Sequence, residues 1–280
     1  MTDKKPFFSI IIPTYNRANF IAGTIDTVLQ QTFTDFELFV VDDGSTDDTE
    51  KVVGKITDPR LHYLKKQHEE RSIARNYAIN KSRGEYITFL DSDDVFYPWY
   101  LANAYESLQK YNYPVFFHLA YEFKDINGKV LIKFDKFISD NILFFIKGCP
   151  LSCMGIFVKR TITNDFRFNE DPDVCGSEDW EIWIRIASNF GLKIDNRISS
   201  AVIDHRERSV RGYDEAGLVR RKNAVINHAF RDPKVKEQFG KYYHKIEAHW
   251  NSYIALHLMF RKDTLIALKY LLKTIKGDPT

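Results

Sequence analysis

Tyr86-Ile87-Thr88-Phe89-Leu90-Asp91-Ser92-Asp93-Asp94 decides how this chain is read. The first five residues are aromatic, β-branched or aliphatic, which predicts a buried strand. The next four hold three carboxylates. Crowded at a strand end, these repel one another unless a positive charge sits among them, and a hard divalent cation with oxygen ligands is the natural partner. In open α/β sheets, ligands bind beyond the carboxyl ends of strands. The segment therefore points to a metal-assisted site for a phosphate-bearing substrate.

Upstream, the pattern alternates. Phe7 to Ile12 predicts a first strand, buried on both faces and stopped by Pro13. Ala18 to Gln31 carries Ile21, Ile25, Val28 and Leu29 at helical spacing. A second strand spans Phe36 to Val41, and a helix follows over Thr46 to Ile56. Leu61 to Lys65 reads as a strand and Ser72 to Ser82 as a helix. This order implies an α/β fold with a mainly parallel sheet flanked by helices on both faces. Downstream, a helix is expected over Pro98 to Tyr111. Strands over Pro114 to Phe123 and Val130 to Phe134 are joined across Asp125-Ile126-Asn127-Gly128. A strand over Ile156 to Lys159, an amphipathic helix over Glu178 to Phe190 and a strand over Ile198 to Ile203 follow. From about Glu215 the chain turns helical and basic, with a break at Asp232-Pro233.

Composition narrows the function. The 280 residues are 44% hydrophobic and 28% charged, as in a globular protein, and the net charge of +2 gives no warrant for general nucleic-acid binding. No apolar run reaches membrane-span length, and the N-terminus lacks a signal-peptide cleavage pattern. The expected location is the cytoplasm, with peripheral contact at the inner membrane face as an extension. Cys149, Cys153 and Cys175 are too few and too odd for a disulfide framework. Cys149 and Cys153 are four apart, but no second ligand pair follows, so thiols rather than zinc ligands are expected.

Pro13-Thr14-Tyr15-Asn16, Asp42-Asp43-Gly44-Ser45 and Asp91-Ser92-Asp93-Asp94 each follow a predicted parallel strand and should converge on one rim of the sheet. Taken alone, Asp42 to Ser45 reads equally well as a capping turn. Together the three ends favour a ligand site, because an Asp after a strand accepts hydrogen bonds from a nucleobase or a ribose.

Five ordered motifs carry a resemblance: SIIIPTYNR, VVDDGSTDDT, RSIARNYAI, GEYITFLDSDD and FNEDPDVCGSEDWEIWIRIA. Over roughly residues 7 to 210 the chain resembles the inverting glycosyltransferases of family 2, which have the nucleotide-sugar-binding GT-A fold. The resemblance implies a nucleoside-diphosphate sugar donor, UDP by default, and a glycan or lipid-linked acceptor, as in bacterial surface polysaccharide synthesis. It implies that Pro13, Thr14 and Tyr15 hold the base, with Asp42 accepting from it and Asp43 alongside. Arg75 and Asn76 match a segment near the base and diphosphate. Arg71, by its own position, either reaches the diphosphate or pairs with Glu69 on a solvated loop. Asp91 and Asp93 match the Asp-x-Asp motif, with Ser92 between them on the nucleotide side. The first lies near ribose and metal and the second is a ligand to Mn²⁺ or Mg²⁺. Asp94 supports them. Asp179 matches the general base and Glu178 its acidic neighbour. Taken alone, Asp179 also reads as a helix-start carboxylate placed for the helix dipole.

The chain departs from the family where many members carry Arg-x-His-x-x-Ser. Here the segment is Asp204-His205-Arg206-Glu207-Arg208-Ser209, which leaves His205, Arg206 or Arg208 for a diphosphate contact. Glu69-Glu70-Arg71-Ser72 replaces a Gly-rich start. Three rival readings fit parts of the same pattern. A haloacid-dehalogenase-type phosphatase would use Asp91 as nucleophile and Asp93 as acid/base. A non-catalytic nucleotide-sugar-binding protein would bind without turnover. A nucleotidyltransferase would need a Gly-rich loop where Pro13 to Arg17 stand.

Residues 1–212 are expected to form the catalytic domain, with 1–95 as its nucleotide half and 96–212 as its acceptor half. Residues 213–280 form a helical C-terminal extension. The lysines and leucines of 262–276 suit packing on the catalytic domain, a homodimer or a peripheral membrane contact.

Overall fold

The computed structural model describes residues 5–137, 141–148, 151–205, 207–208 and 214–277. By contact, the chain forms two compact units. The first comprises 1–139, 151–168 and 192–205; the second comprises 140–150, 169–191 and 206–280.

The first unit is built on a sheet. Strands β1 (Phe8–Thr14), β2 (Phe36–Asp42), β3 (Leu61–Lys65) and β4 (Tyr86–Phe89) are parallel, with β1 between β2 and β4 and with β3 outside β2. Helices α1 (Ile21–Leu29), α2 (Thr49–Val53) and α3 (Arg71–Lys81) make the crossovers. Beyond α4 (Tyr100–Lys110) the sheet becomes mixed. β8 (Ile156–Lys159) joins β4 antiparallel, and β6 (Phe116–Asp125) follows it antiparallel. β9 (Lys193–Asp204) runs parallel to β6, the short β5 (Val95–Phe96) closes on β9, and β7 (Val130–Phe134) pairs with β6. The expected Asn-Gly turn is present, with Gly128 at φ +83°.

The core explains the sheet. Phe8, Ile10, Ile12, Leu38, Val40 and Tyr86 lie against Ile21, Ile25 and Val28 of α1, almost all of them wholly buried. Each such side chain contributes about 1.5–3 kcal/mol when removed from water.

Three boundaries differ from the sequence pattern for physical reasons. Pro13 does not stop β1, which pairs with β2 through Pro13–Val41 to Thr14–Asp42. The β4 register ends at Ile11–Phe89, so past that point β1 behaves as an edge, where a missing N–H is tolerated. Helix α2 starts at Thr49 rather than Thr46. The Ser45 hydroxyl and the Asp47 carboxylate instead accept from the backbone N–H groups of Asn16 (2.9 Å) and Ala18 (3.0 Å). β9 begins five residues early, because the polar Asp195 and Arg197 are satisfied within it: Ser107 donates to Asp195 at 2.7 Å, and Arg197 reaches Glu106 at 2.8 Å.

The second unit is helical: α5 (Asn141–Ile146), α6 (Glu178–Phe190), α7 (Glu215–Ala229), α8 (Pro233–Phe239), α9 (Tyr243–Phe260) and α10 (Thr264–Gly277). The Asp232-Pro233 break is a helix start, with Asp232 accepting from the Lys234 N–H at 2.8 Å. Trp180 of α6 is core, edge-on to Phe145 and to Trp250, and Trp183 is fully buried. No described helix is long and apolar enough to cross a membrane.

Candidate functional site

The ends of β1, β2 and β4 lie side by side, and the residues that follow them form one rim. Asp42, the last residue of β2, is wholly buried. Its Oδ1 accepts from the Ser45 N–H at 2.7 Å, and its Oδ2 accepts from the Tyr63 hydroxyl. Burial and this carboxylate push the Tyr63 phenol well above its usual range, so it stays a donor. Asp43 is held still more firmly. It accepts from Lys66 Nζ (2.9 Å), His68 Nδ1 (2.8 Å) and the N–H groups of Glu69 (3.1 Å) and Glu70 (2.9 Å). A carboxylate only accepts, so His68 carries its proton on Nδ1. Gly44 sits at φ +81° directly over the His68 backbone, where a Cβ would come within 2.8 Å, so only glycine fits this turn.

Asn16 fastens the β1 end. At φ +51°, its side-chain oxygen accepts from the Thr46 N–H at 2.8 Å. Tyr15 is half exposed and stacks on His68 with ring centroids 4.1 Å apart. Thr14 is buried beneath it, beside Asp42 in the ladder. Pro13 precedes it in the same pair of strands.

After β4, each carboxylate has its own role. Asp94 is buried and structural, its Oδ1 accepting from the Ile203 N–H of β9 at 2.9 Å. The backbone carbonyls of Ser92 and Asp94 accept from Thr24 of α1 at 3.1 and 3.0 Å. Asp91 is more open and meets Arg75 Nη2 at 3.0 Å. Asp93 accepts from His205 Nε2 at 3.0 Å and lies 3.4 Å from Arg17 Nε, both on Oδ2. Asp91 and Asp93 thus meet different partners, Arg75 for the first and Arg17 with His205 for the second. The donor set fits a hard divalent cation. Asp91 and Asp93 offer oxygen ligands, and the rest of the shell is left for phosphate oxygens and water, the arrangement such ions favour. Among the described residues, no three His, Cys, Asp or Glu side chains close a cage by themselves.

Asn76 spends both ends of its amide on the Phe168 backbone, accepting at 3.1 Å and donating at 2.9 Å. Arg75 is 2% exposed and lies over the Phe168 ring. Arg71 opens α3 directly after Glu70, whose φ is +80°. His205 stacks on Phe20 at 4.6 Å. Arg208 is partly buried in the second unit, while Arg206 and Cys149 lie outside the described residues. Cys153 is buried and Cys175 is half-buried. Arg17, Thr24, Tyr63, Lys66 and His68 were not singled out from sequence. The last three lie on or just after β3, and only its pairing with β2 brings them to the aspartates.

In the second unit, Glu178 and Asp179 open α6, where the helix dipole favours carboxylates. Glu178 is buried and its Oε2 accepts from the Gly176 N–H at 2.6 Å; Asp179 Oδ1 accepts from the Trp180 N–H at 2.7 Å. One turn on, Glu181 is tied up by Arg185 through two bonds of 2.8 and 3.0 Å. The loop leading to α6 is held by α7. Asp171 meets His228 at 2.9 Å, Asp173 lies 3.6 Å from Arg220, and the buried Arg221 guanidinium covers Gly176. The hydrogen bond from His228 holds the Asp171 carboxyl below its ordinary range. Gly176 has φ +86°, and a Cβ there would stand 3.1 Å from the guanidinium.

Comparison with known proteins gives the class. The sequence profile of glycosyl transferase family 2 matches residues 9–163. The chain is 35% identical over 228 residues, 79% of its length, to a glycosyltransferase of Rickettsia bellii, of which it spans about a third (33%). It is 34% identical over 199 residues to an Escherichia coli UDP-Glc:α-D-GlcNAc-diphosphoundecaprenol β-1,3-glucosyltransferase, covering 69% of this chain and 72% of that one. The fold is that of the Staphylococcus aureus TarS structure in complex with UDP-GlcNAc (TM-score 0.68, 18% identity, 98% of this chain, 89% of that one). It is also that of a Pyrobaculum calidifontis mannosyltransferase in complex with GDP-Man and Mn²⁺ (TM-score 0.62, 21% identity, 96% of this chain, 76% of that one). This chain belongs to glycosyl transferase family 2 and has the GT-A fold.

Proposed function

We propose that this chain is a metal-dependent inverting glycosyltransferase, moving a sugar from a nucleoside-diphosphate donor, UDP by preference, to a hydroxyl of a lipid-linked or glycan acceptor. The observation that carries this is the rim, where Tyr15, Asp42, Asp43, Asp91 and Asp93 follow three adjacent parallel strands. Asp42 and Asp43 are fixed acceptors for the base and ribose, and Tyr15 on His68 offers the base an aromatic face. Asp91 and Asp93 would hold Mn²⁺ or Mg²⁺ against the diphosphate, and the ion would supply Lewis-acid stabilisation of the leaving group. Donor binding would draw Arg17, Arg75 and His205 toward phosphate oxygens, since all three already serve anions.

In the reaction, Asp179 takes the proton of the acceptor hydroxyl as that oxygen bonds to the anomeric carbon. The bond from that carbon to the diphosphate oxygen breaks, and the nucleoside diphosphate leaves with the electron pair. Attack opposite the leaving group inverts the anomeric centre. The E. coli relative acts on a diphosphoundecaprenol-linked acceptor, which supports the lipid-linked class.

Calorimetric titration with UDP, GDP, dTDP and CDP, each with and without Mn²⁺, tests the donor site. Metal-dependent binding of one nucleotide is the expected result, and binding of none overturns the reading. Transfer from the matching sugar nucleotide, with the product anomer read by NMR, tests inversion. Binding without turnover on any acceptor would favour the non-catalytic alternative.

A further inference from the structure

Helix α10 carries an apolar stripe that the protein does not cover. Leu265 is 85% exposed, Leu268 50%, Leu272 60% and Ile275 61%. At about 100° per residue these four fall within an arc of about 80°. The opposite side is buried: Ala267 and Tyr270 pack with Ile254, Ala255 and Leu258 of α9, and Thr274 donates to the Ala248 carbonyl at 3.2 Å. The stripe is thus not the helix's core-facing side. The next arc, about 60° wide, holds Lys269, Lys273 and Lys276, all exposed. From Thr264 to Gly277 there is no acidic residue. Phe260, 77% exposed, extends the apolar surface at the α9–α10 turn, between the exposed Arg261 and Lys262 and the exposed Met259.

We infer that the α10 face is a docking surface for an anionic lipid bilayer, with the leucine stripe in the acyl–headgroup boundary and the lysines on the phosphates. An amphipathic helix lying in the interface plane has this division of apolar and basic arcs. Charge decides between the two candidate occupants. Antiparallel pairing of this face with its copy across a two-fold axis sets Lys269, Lys273 and Lys276 near their own images, with no acid on α10 to answer them. An anionic surface is complementary to all three. Lys269 lies 4.0 Å from Glu215 and Lys273 sits over the Tyr270 ring, and both stay exposed beside the stripe. The inference rests on this surface and not on the donor site.

Flotation of the whole chain with phosphatidylcholine vesicles, with and without phosphatidylglycerol, tests it. The chain should float with the anionic vesicles and fall off as salt is raised. Leu265→Asp with Leu272→Asp should abolish flotation. Lys269→Gln, Lys273→Gln and Lys276→Gln together should weaken it by at least ~10-fold. All these positions are exposed, so unchanged thermal unfolding should accompany the loss. Absence of flotation by the parent chain overturns the inference, as does flotation indifferent to the leucine changes. A concentration-dependent dimer lost on the same leucine changes would assign the face to a second copy instead. Nucleotide titration of the same variants, unaffected in every case, keeps this outcome separate from the donor-site reading.

Discussion

Asp43 and Asp179 are both carboxylates just past a regular element or at its start, yet they are held in opposite ways. Asp43 is fixed by its neighbourhood: the N–H groups of Glu69 and Glu70, His68 and Lys66 all come from the segment that follows the adjacent strand β3. Asp179 sits at a helix start whose approach loop is pinned by α7, some forty residues later in the chain. The rim is thus a product of strand order, and the acidic helix start is a product of helix packing. Damage to the first should abolish binding directly. Damage behind the second should reach the chemistry while leaving the donor site alone.

The largest effect is expected at the rim. Asp93→Ala should remove metal-dependent nucleotide binding and lower kcat/KM by ~10³-fold or more, the scale of a lost Lewis-acid contribution. Calorimetry with Mn²⁺ checks it, and unchanged binding would take Asp93 out of the metal site. Asp179→Asn should cost ~10²–10⁴-fold in kcat, as for a lost general base, with the nucleotide Kd unaltered. Normal turnover in that variant would remove Asp179 as base.

Two substitutions sharpen the comparison from behind. Gly176→Ala forces a side chain into positive φ and against Arg221, which should destabilise by about 1–3 kcal/mol and reduce kcat, again with nucleotide affinity preserved. A matched fall in nucleotide affinity would show that the two regions are not separable. The smallest effect concerns pH. His118 is wholly buried in β6 and neither ring nitrogen has a hydrogen-bond partner among the described residues; burial lowers its pKa to about 3. Its folded pKa lies below the unfolded value of about 6.5, so the unfolded chain binds a proton that the native chain refuses. Stability is therefore full above pH ~6.5 and falls as pH drops from there toward 3, by up to about 1.4 kcal/mol per unit. His118→Leu should flatten this slope in denaturant unfolding at pH 7 and pH 5. An unchanged slope would point to the carboxylates instead.

Much of the fold was legible because strands β1, β2 and β4 are buried on both faces and bounded by short polar turns. β3, β7, β8 and α6 begin and end where the pattern puts them. The pattern failed where polar groups were satisfied by distant partners. Asp195 and Arg197 hid the first half of β9, and Ser45 with Asp47 delayed α2 by serving the β1 loop. A two-residue strand such as β5 carries no periodicity to detect.

For the site, the sequence by itself determined which residue types stand after which strands, because strand ends and turn chemistry are local. It marked Asp42, Asp43, Asp91 and Asp93 on that basis, and Asp179 through the family resemblance. Only the tertiary structure decided how those groups are divided. Asp94 turns inward to β9 and Asn76 to the Phe168 backbone, Asp93 is shared by Arg17 and His205, and the loop before Asp179 leans on Arg221. The reason is physical. Which donor meets a carboxylate depends on strand order and helix packing, which bring together residues that no sequence spacing relates.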